Sequence, residues 1–173
     1  MQNASTRVET LQGSLSGRVD EDIHLWCGIP YAAPPVGPLR WRAPQPVTPW
    51  QGIRPAETFS ASSWQNSEYC QELGGGDPGL FSEDCLYLNV WAPAERDAPL
   101  PVMVWLHGGG FTIGAGGLPP YDGKALARRG VVVVTLNYRL GHLGFFAHPA
   151  LEEEDGERLY NFGLMDQIAA LRW

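Results

Sequence analysis

The residues best suited to chemistry lie in one run, His107-Gly108-Gly109-Gly110-Phe111, directly after the apolar stretch Pro101 to Leu106. Three consecutive glycines carry no Cβ, so the backbone there can approach a bound group closely and adopt positive φ. Adjacent N–H groups can then point into a pocket and receive the alkoxide that develops on a carbonyl oxygen. The charge appears only in the transition state, and loss of one such donor costs roughly 3 kcal/mol of its stabilisation. A functionless glycine turn has the same composition. Position argues for chemistry, because the run closes a buried-strand pattern and is flanked by His and Phe. It is not a phosphate loop: Gly123-Lys124 is followed by Ala125 rather than completing G-x-x-x-x-G-K-[ST], and no G-x-G-x-x-G follows a strand.

Other reactive side chains form no comparable pattern. Cys27, Cys70 and Cys85 include no Cys-x-x-Cys, and His24, His107, His142 and His148 lack metal-ligand spacing. Neither a metal nor another cofactor is expected. One disulfide with one free thiol, or three reduced thiols, are both open on this count. The balance of 19 acidic against 12 basic residues argues against a nucleic-acid partner, which requires clustered cations. Part of that acidity is the run Glu152-Glu153-Glu154-Asp155 with Glu157, read as a solvated loop. No apolar stretch approaches the roughly 18 residues of a membrane span, and no apolar signal region follows Met1, so no membrane partner and a cytoplasmic location are expected if Met1 is the native start. Asn3-Ala4-Ser5 fits a glycosylation acceptor on a frayed terminus.

The elements that must position the glycine run read as follows. Val8 to Arg18 forms two short strands about Gly13, and Ile23 to Ile29 a third. Pro30 to Pro55, with eight prolines in 26 residues and both Trp41 and Trp50, reads as an ordered irregular wrap. Leu86 to Trp91, Pro101 to Leu106 and Val131 to Leu136 are strands, the last two apolar enough to be covered on both faces. Asp122 to Arg129 reads as a short helix capped by Asp122 and ended by Gly130. A final helix begins at Asn161, with Leu164, Ile168 and Leu171 at helical spacing. No stop signal precedes Trp173, so the sequence reads as cut in or just after that helix, with a helix face and a strand edge left unburied.

Five blocks, in order, carry a resemblance. They are Gly28-Ile29-Pro30-Tyr31-Ala32 with Pro34-Pro35-Val36-Gly37 and Arg40; Glu83-Asp84-Cys85-Leu86-Tyr87-Leu88-Asn89-Val90; the glycine run; Asn137-Tyr138-Arg139-Leu140-Gly141; and Asn161-Phe162-Gly163-Leu164-Met165-Asp166-Gln167. In these the sequence resembles the type-B carboxylesterases, the group that includes cholinesterases and bacterial para-nitrobenzyl esterases. The resemblance implies an α/β fold: small N-terminal strands, then a mostly parallel sheet with flanking helices. Residues 1–173 would be the N-terminal portion of one α/β-hydrolase domain, truncated before the nucleophile elbow.

The same resemblance implies roles. Gly109 and Gly110 would donate two oxyanion-hole N–H groups, with His107, Gly108 and Phe111 supporting the loop. Arg40 and Glu83 would form a buried ion pair that fixes loops. Cys70 and Cys85 would close a disulfide loop of 14 intervening residues, contributing roughly 3 kcal/mol where the compartment is oxidising. Cys27 reads as a small buried hydrophobe. The nucleophile's G-x-S-x-G is absent; Gly13-Ser14-Leu15-Ser16-Gly17 has Leu15 in the central place. The Ser, acid and His of the triad are therefore expected in a C-terminal part of the hydrolase, in cis or as a separate chain, and residues 1–173 alone are expected to be inactive. The segment between Cys70 and Cys85 holds no Trp, which removes a site for quaternary ammonium and favours small uncharged esters as substrate. The alternative is a non-catalytic adhesion protein on the same fold.

Overall fold

The computed structural model describes residues 6–151 and 160–173. The Asn3 acceptor and the acidic run from Glu152 lie outside them. Near the N-terminus, β1 (Arg7–Glu9) and β2 (Ser14–Ser16) pair antiparallel, and β5 (Ile53–Pro55) adds to β2 in parallel. Gly13, at φ 147°, closes the β1–β2 turn, where Thr10 and Gly13 exchange backbone bonds of 3.0 and 3.3 Å. The Pro-rich wrap between β4 and β5 is ordered by its tryptophans: Trp50 Nε1 donates to the Ser14 carbonyl at 2.8 Å and Trp41 Nε1 to the His142 carbonyl at 2.8 Å.

The larger sheet has the order β3-β4-β6-β8-β7, built from β3 (Arg18–Asp20), β4 (Ile23–Pro30), β6 (Tyr87–Pro93), β7 (Val102–Trp105) and β8 (Val132–Leu136). The β3 strand is absent from the sequence reading. The sheet is mixed: β7 and β8 run parallel, while β3, β4, β6 and β8 pair antiparallel in succession. Between β7 and β8 the chain crosses over through α2 (Lys124–Ala127) and returns to insert β8 beside β6. Asp122 Oδ1 accepts the Lys124 N–H at 2.8 Å, and Gly130, at φ 82°, ends that turn of helix. The remaining helices are α1 (Ser67–Glu72), α3 (Gly141–Phe145) and α4 (Phe162–Arg172).

Strand periodicity divides the core into two layers. On one face Trp26, Ile29, Leu88 and Leu136 pack with Leu15, Tyr138 and Ala170; on the other Ile23, Leu25, Cys27, Trp91 and Val133 pack with Ala127 of α2. Full burial of a Leu such as Leu88 or Leu136 stabilises by roughly 1.5–3 kcal/mol.

Two expectations from apolar patterning need correction. The strand β7 is not covered on both faces: Val102 to Trp105 are between 37% and 62% exposed, because β7 is the edge of the sheet. In α4 the Leu164, Ile168 and Leu171 stripe faces solvent, while Phe162, Gly163, Asp166 and Ala170 are buried. That helix is oriented by Asp166 and by the close approach of Gly163 to Arg139, as described below. Asn161 precedes it without a side-chain cap. Among the described residues no helix is long and apolar enough to cross a membrane.

Candidate active site

The glycine run leaves the end of β7 and turns back at once. Gly109 and Gly110 have φ of 107° and 59°, and Phe111 follows at 62°, an unusual conformation for a bulky residue. A Cβ on Gly109 would fall inside the Ile113 carbonyl. The Gly109 carbonyl accepts three bonds, from Thr112 N at 3.0 Å, Thr112 Oγ1 at 3.0 Å and Ile113 N at 3.3 Å. A trans peptide is planar, with its C=O and N–H pointing in opposite directions. Anchoring the Gly109 oxygen in the turn therefore aims the Gly110 N–H out of it.

The same argument applies one peptide earlier. His107 Nδ1 lies 2.9 Å from the Gly108 carbonyl, which can only accept, so the ring carries its proton on Nδ1. Holding that carbonyl directs the Gly109 N–H away from the imidazole. Among the described residues no acceptor takes the N–H of Gly108, Gly109 or Gly110. Two adjacent donors are thus aimed by bonds to their own peptide carbonyls and left without a partner.

His107 is positioned rather than reactive. Its ring is buried and stacked on Tyr138 at 4.3 Å with 14° between planes, and Tyr138 Oη donates to the His107 carbonyl at 2.8 Å. Burial pushes the imidazole pKa below its ordinary 6.5, against a smaller upward effect from the Gly108 bond. The ring is therefore neutral, and its buried Nε2 has no partner. Phe111 is held from both ends: its carbonyl accepts the Gly141 N–H at 2.7 Å, and its ring packs on Phe145 at 4.8 Å. These bonds over-determine a backbone conformation that costs on the order of 1–3 kcal/mol.

The elements behind the loop connect to other residues singled out in the sequence. Arg40 donates to Glu83 in bidentate fashion, Nε to Oε2 at 2.7 Å and Nη2 to Oε1 at 2.6 Å. The pair exists but is not buried, with side chains 43% and 23% exposed, because it lies on the outer wrap. The pair ties the wrap to the segment before β6, and Trp41, next in sequence, packs on Phe146 at 4.8 Å and bonds the His142 carbonyl, holding the wrap against α3. The expected disulfide is not formed: Cys27, Cys70 and Cys85 are free and buried. Cys70 packs with Ile113, Ala115 and Leu118, while Cys85 belongs to the main core with Leu86 and Leu88, so the two thiols occupy different clusters.

Some supporting residues carry no role in the sequence reading. Arg139 and Asp166 form the fully buried pair, with Arg139 Nε and Nη2 at 2.8 and 2.7 Å from the carboxylate and the Arg139 backbone N–H at 3.1 Å. Burial pulls the Asp166 carboxyl upward, opposed by the Arg139 bonds. Both residues lie inside blocks that carry the resemblance, but an Arg and an Asp 27 positions apart give no local signal that they meet. Tyr138 lies in the same block. Gln65, in a polar loop, gave no signal.

A cleft of about 370 Å³ opens beside the loop, lined by Gly108, Gly109, Ile113, Cys70, Leu73 and Tyr121 among others, with no charged side chain on its walls. A strand-end loop presenting paired backbone donors beside a cleft, on a sheet with a parallel crossover, is the arrangement of the α/β-hydrolase fold. The Carboxylesterase family model matches residues 4–173, and the chain belongs to that family. It is 48% identical over 166 residues to the fumonisin B1 esterase of Sphingopyxis macrogoltabida, covering 95% of this chain and 30% of that protein. It is 46% identical over 167 residues to the para-nitrobenzyl esterase of Bacillus subtilis (strain 168), covering 96% and 33%. A solved PNB esterase structure superposes with a TM-score of 0.89 at 44% identity, covering 98% of this chain and 34% of that one. The chain thus spans about a third of the length of these relatives.

Proposed function

We propose that these residues supply the oxyanion hole of a serine-type carboxylic ester hydrolase, with Gly109 and Gly110 as donors. The observation that carries this reading is the pair of unpartnered N–H groups aimed by anchored carbonyls. In the attack step a nucleophile adds to the ester carbonyl, the carbonyl oxygen becomes anionic, and both N–H groups meet it in place without reorganisation. The neutral His107 cannot serve as the base, since its Nδ1 proton is committed to Gly108 and its Nε2 is buried. Nucleophile, base and acid would come from the C-terminal part of the hydrolase, in cis or as a separate chain, and that part would also cover the β7 edge and the outer face of α4. A purely adhesive protein would have no use for donors held in a strained loop.

The uncharged walls of the cleft and the lack of Trp between Cys70 and Cys85 support a small neutral ester as substrate. The test is hydrolysis of para-nitrophenyl acetate. The full-length protein turns it over with saturation, and residues 1–173 alone do not. Gly109→Ala in the full-length protein lowers kcat by about 10²–10³-fold. Saturable turnover by residues 1–173 alone, or full activity in Gly109→Ala, would contradict the proposal.

A further inference from the structure

Both donors depend on one residue outside the glycine run. Gly114 closes the loop at φ 117°, and a Cβ there would strike His107 Nδ1, so its backbone lies directly against the imidazole that orients the Gly109 N–H. Gly114 also follows Ile113, whose N–H is one of the three donors, two N–H groups and the Thr112 hydroxyl, that hold the Gly109 carbonyl and thereby aim the Gly110 N–H. The position of Gly114 is set in turn by the side chain of Gln65. Gln65 Oε1 accepts the Gly114 N–H at 2.7 Å, and Gln65 Nε2 donates to the Gly114 carbonyl at 2.8 Å. A primary amide carries an acceptor and a donor side by side, so one side chain satisfies both backbone groups of Gly114 at once. The second Nε2 hydrogen reaches the Ser63 carbonyl at 3.1 Å, which fixes the amide plane.

The segment that carries Gln65 is itself tied to the other end of the loop. Ser63, fully buried, accepts the Leu140 N–H on Oγ at 3.1 Å, and the next residue, Gly141, holds the Phe111 carbonyl. Asn137 Nδ2 donates to the Ala61 carbonyl at 3.0 Å. Residues 60–65 therefore form a strap across the back of the loop, anchored at Asn137 and Leu140 and ending on Gly114.

We infer that Gln65 is a positioning residue for the oxyanion hole, setting the direction of the Gly109 and Gly110 N–H groups through its reciprocal bonds to Gly114. This rests on the proposed function for its catalytic consequence but not for the clamp itself. Loss of the clamp lets the turn from Gly109 to Ile113 relax, and misaimed donors lower the chemical step without altering ground-state binding.

The experiment has two arms. In the full-length protein, amide hydrogen exchange is compared between wild type and Gln65→Met, which keeps the side chain's length and removes its hydrogen bonds. Faster exchange at Thr112, Ile113 and Gly114, with other core amides unchanged, is expected; identical exchange there overturns the inference. In the same protein Gln65→Met lowers kcat by about ten- to a hundred-fold with KM within about two-fold, and weakens a trifluoromethyl ketone inhibitor in proportion to kcat. An unchanged kcat, or a change confined to KM, overturns it. Should Gln65→Met fail to fold, Gln65→Glu takes its place: it retains the acceptor for the Gly114 N–H and sets a carboxylate against the carbonyl, with the same readouts and criteria. If the wild-type full-length protein hydrolyses no ester, the proposed function fails, and the exchange arm still decides the clamp.

Discussion

At the scale of single residues, protonation and thiol chemistry follow from burial. His107 and His24 are both buried, and desolvation holds both imidazoles below the ordinary pKa of 6.5. Above that pH the folded and unfolded chains are equally deprotonated. As the pH falls below 6.5 the unfolded chain takes up protons that the folded chain refuses, so stability declines until the depressed folded pKa values are reached. Urea midpoints should therefore fall between about pH 7.5 and about pH 5.5, and His107→Gln should flatten the decline. A midpoint that rises on acidification would contradict the assignment of a buried neutral ring. The three cysteines supply a second residue-scale test. Burial pushes Cys27 and Cys85 up to about 12 and raises Cys70, so none offers a ready thiolate. A thiol reagent should label all three quickly after denaturation and none quickly before it. A single labelled thiol in denaturant would restore the Cys70–Cys85 disulfide that the resemblance implied.

At the scale of elements, the buried pair of Arg139 and Asp166 joins the segment after β8 to α4. The Gly163 position is closed by the Arg139 carbonyl and the Phe145 ring, so helix and loop meet without room for a side chain. Asp166→Ala leaves Arg139 charged and unpaired in the interior, and should cost about 3–5 kcal/mol in urea denaturation. Replacing both partners by Met and Leu should cost less, since no charge is then stranded. Equal losses in the two variants would show that the pair does more than neutralise itself. This element also shows how far sequence patterning reaches. Strands β4, β6 and β8 are legible because alternation and β-branched content report burial from both faces. The glycine run is legible because three Cβ-less residues at a strand end have few other uses. The orientation of α4 is not legible: its apolar stripe points outward, and the face that packs is chosen by Asp166 and Gly163, whose partners lie 27 and 24 positions away. Gln65 is invisible for the same reason, since a polar residue in a loop becomes informative only when Gly114, 49 positions on, is seen beside it.

At the scale of the molecule, the polar machinery is complete on one side only. The glycine run, His107, Tyr138 and the strap that ends at Gln65 form a finished support that engages the carbonyls of His107, Gly108, Gly109, Phe111 and Gly114. The outer edge of β7 and the Leu164, Ile168, Leu171 face of α4 are uncovered, in a chain that spans about a third of its relatives' length. Residues 1–173 in isolation should bind a hydrophobic dye or self-associate, and the full-length protein should do neither to the same degree. Equal dye binding by the two would show that this face stays open in the whole molecule. The central claim, that Gly109 and Gly110 receive the oxyanion, is tested most directly by the amide NMR signals of these two residues in the full-length protein on forming the tetrahedral adduct with a trifluoromethyl ketone. Both N–H signals should move strongly downfield as they bond the hemiketal oxygen, with Gly108 and Thr112 moving less. An adduct that forms while the Gly109 and Gly110 signals stay where they are would contradict the account.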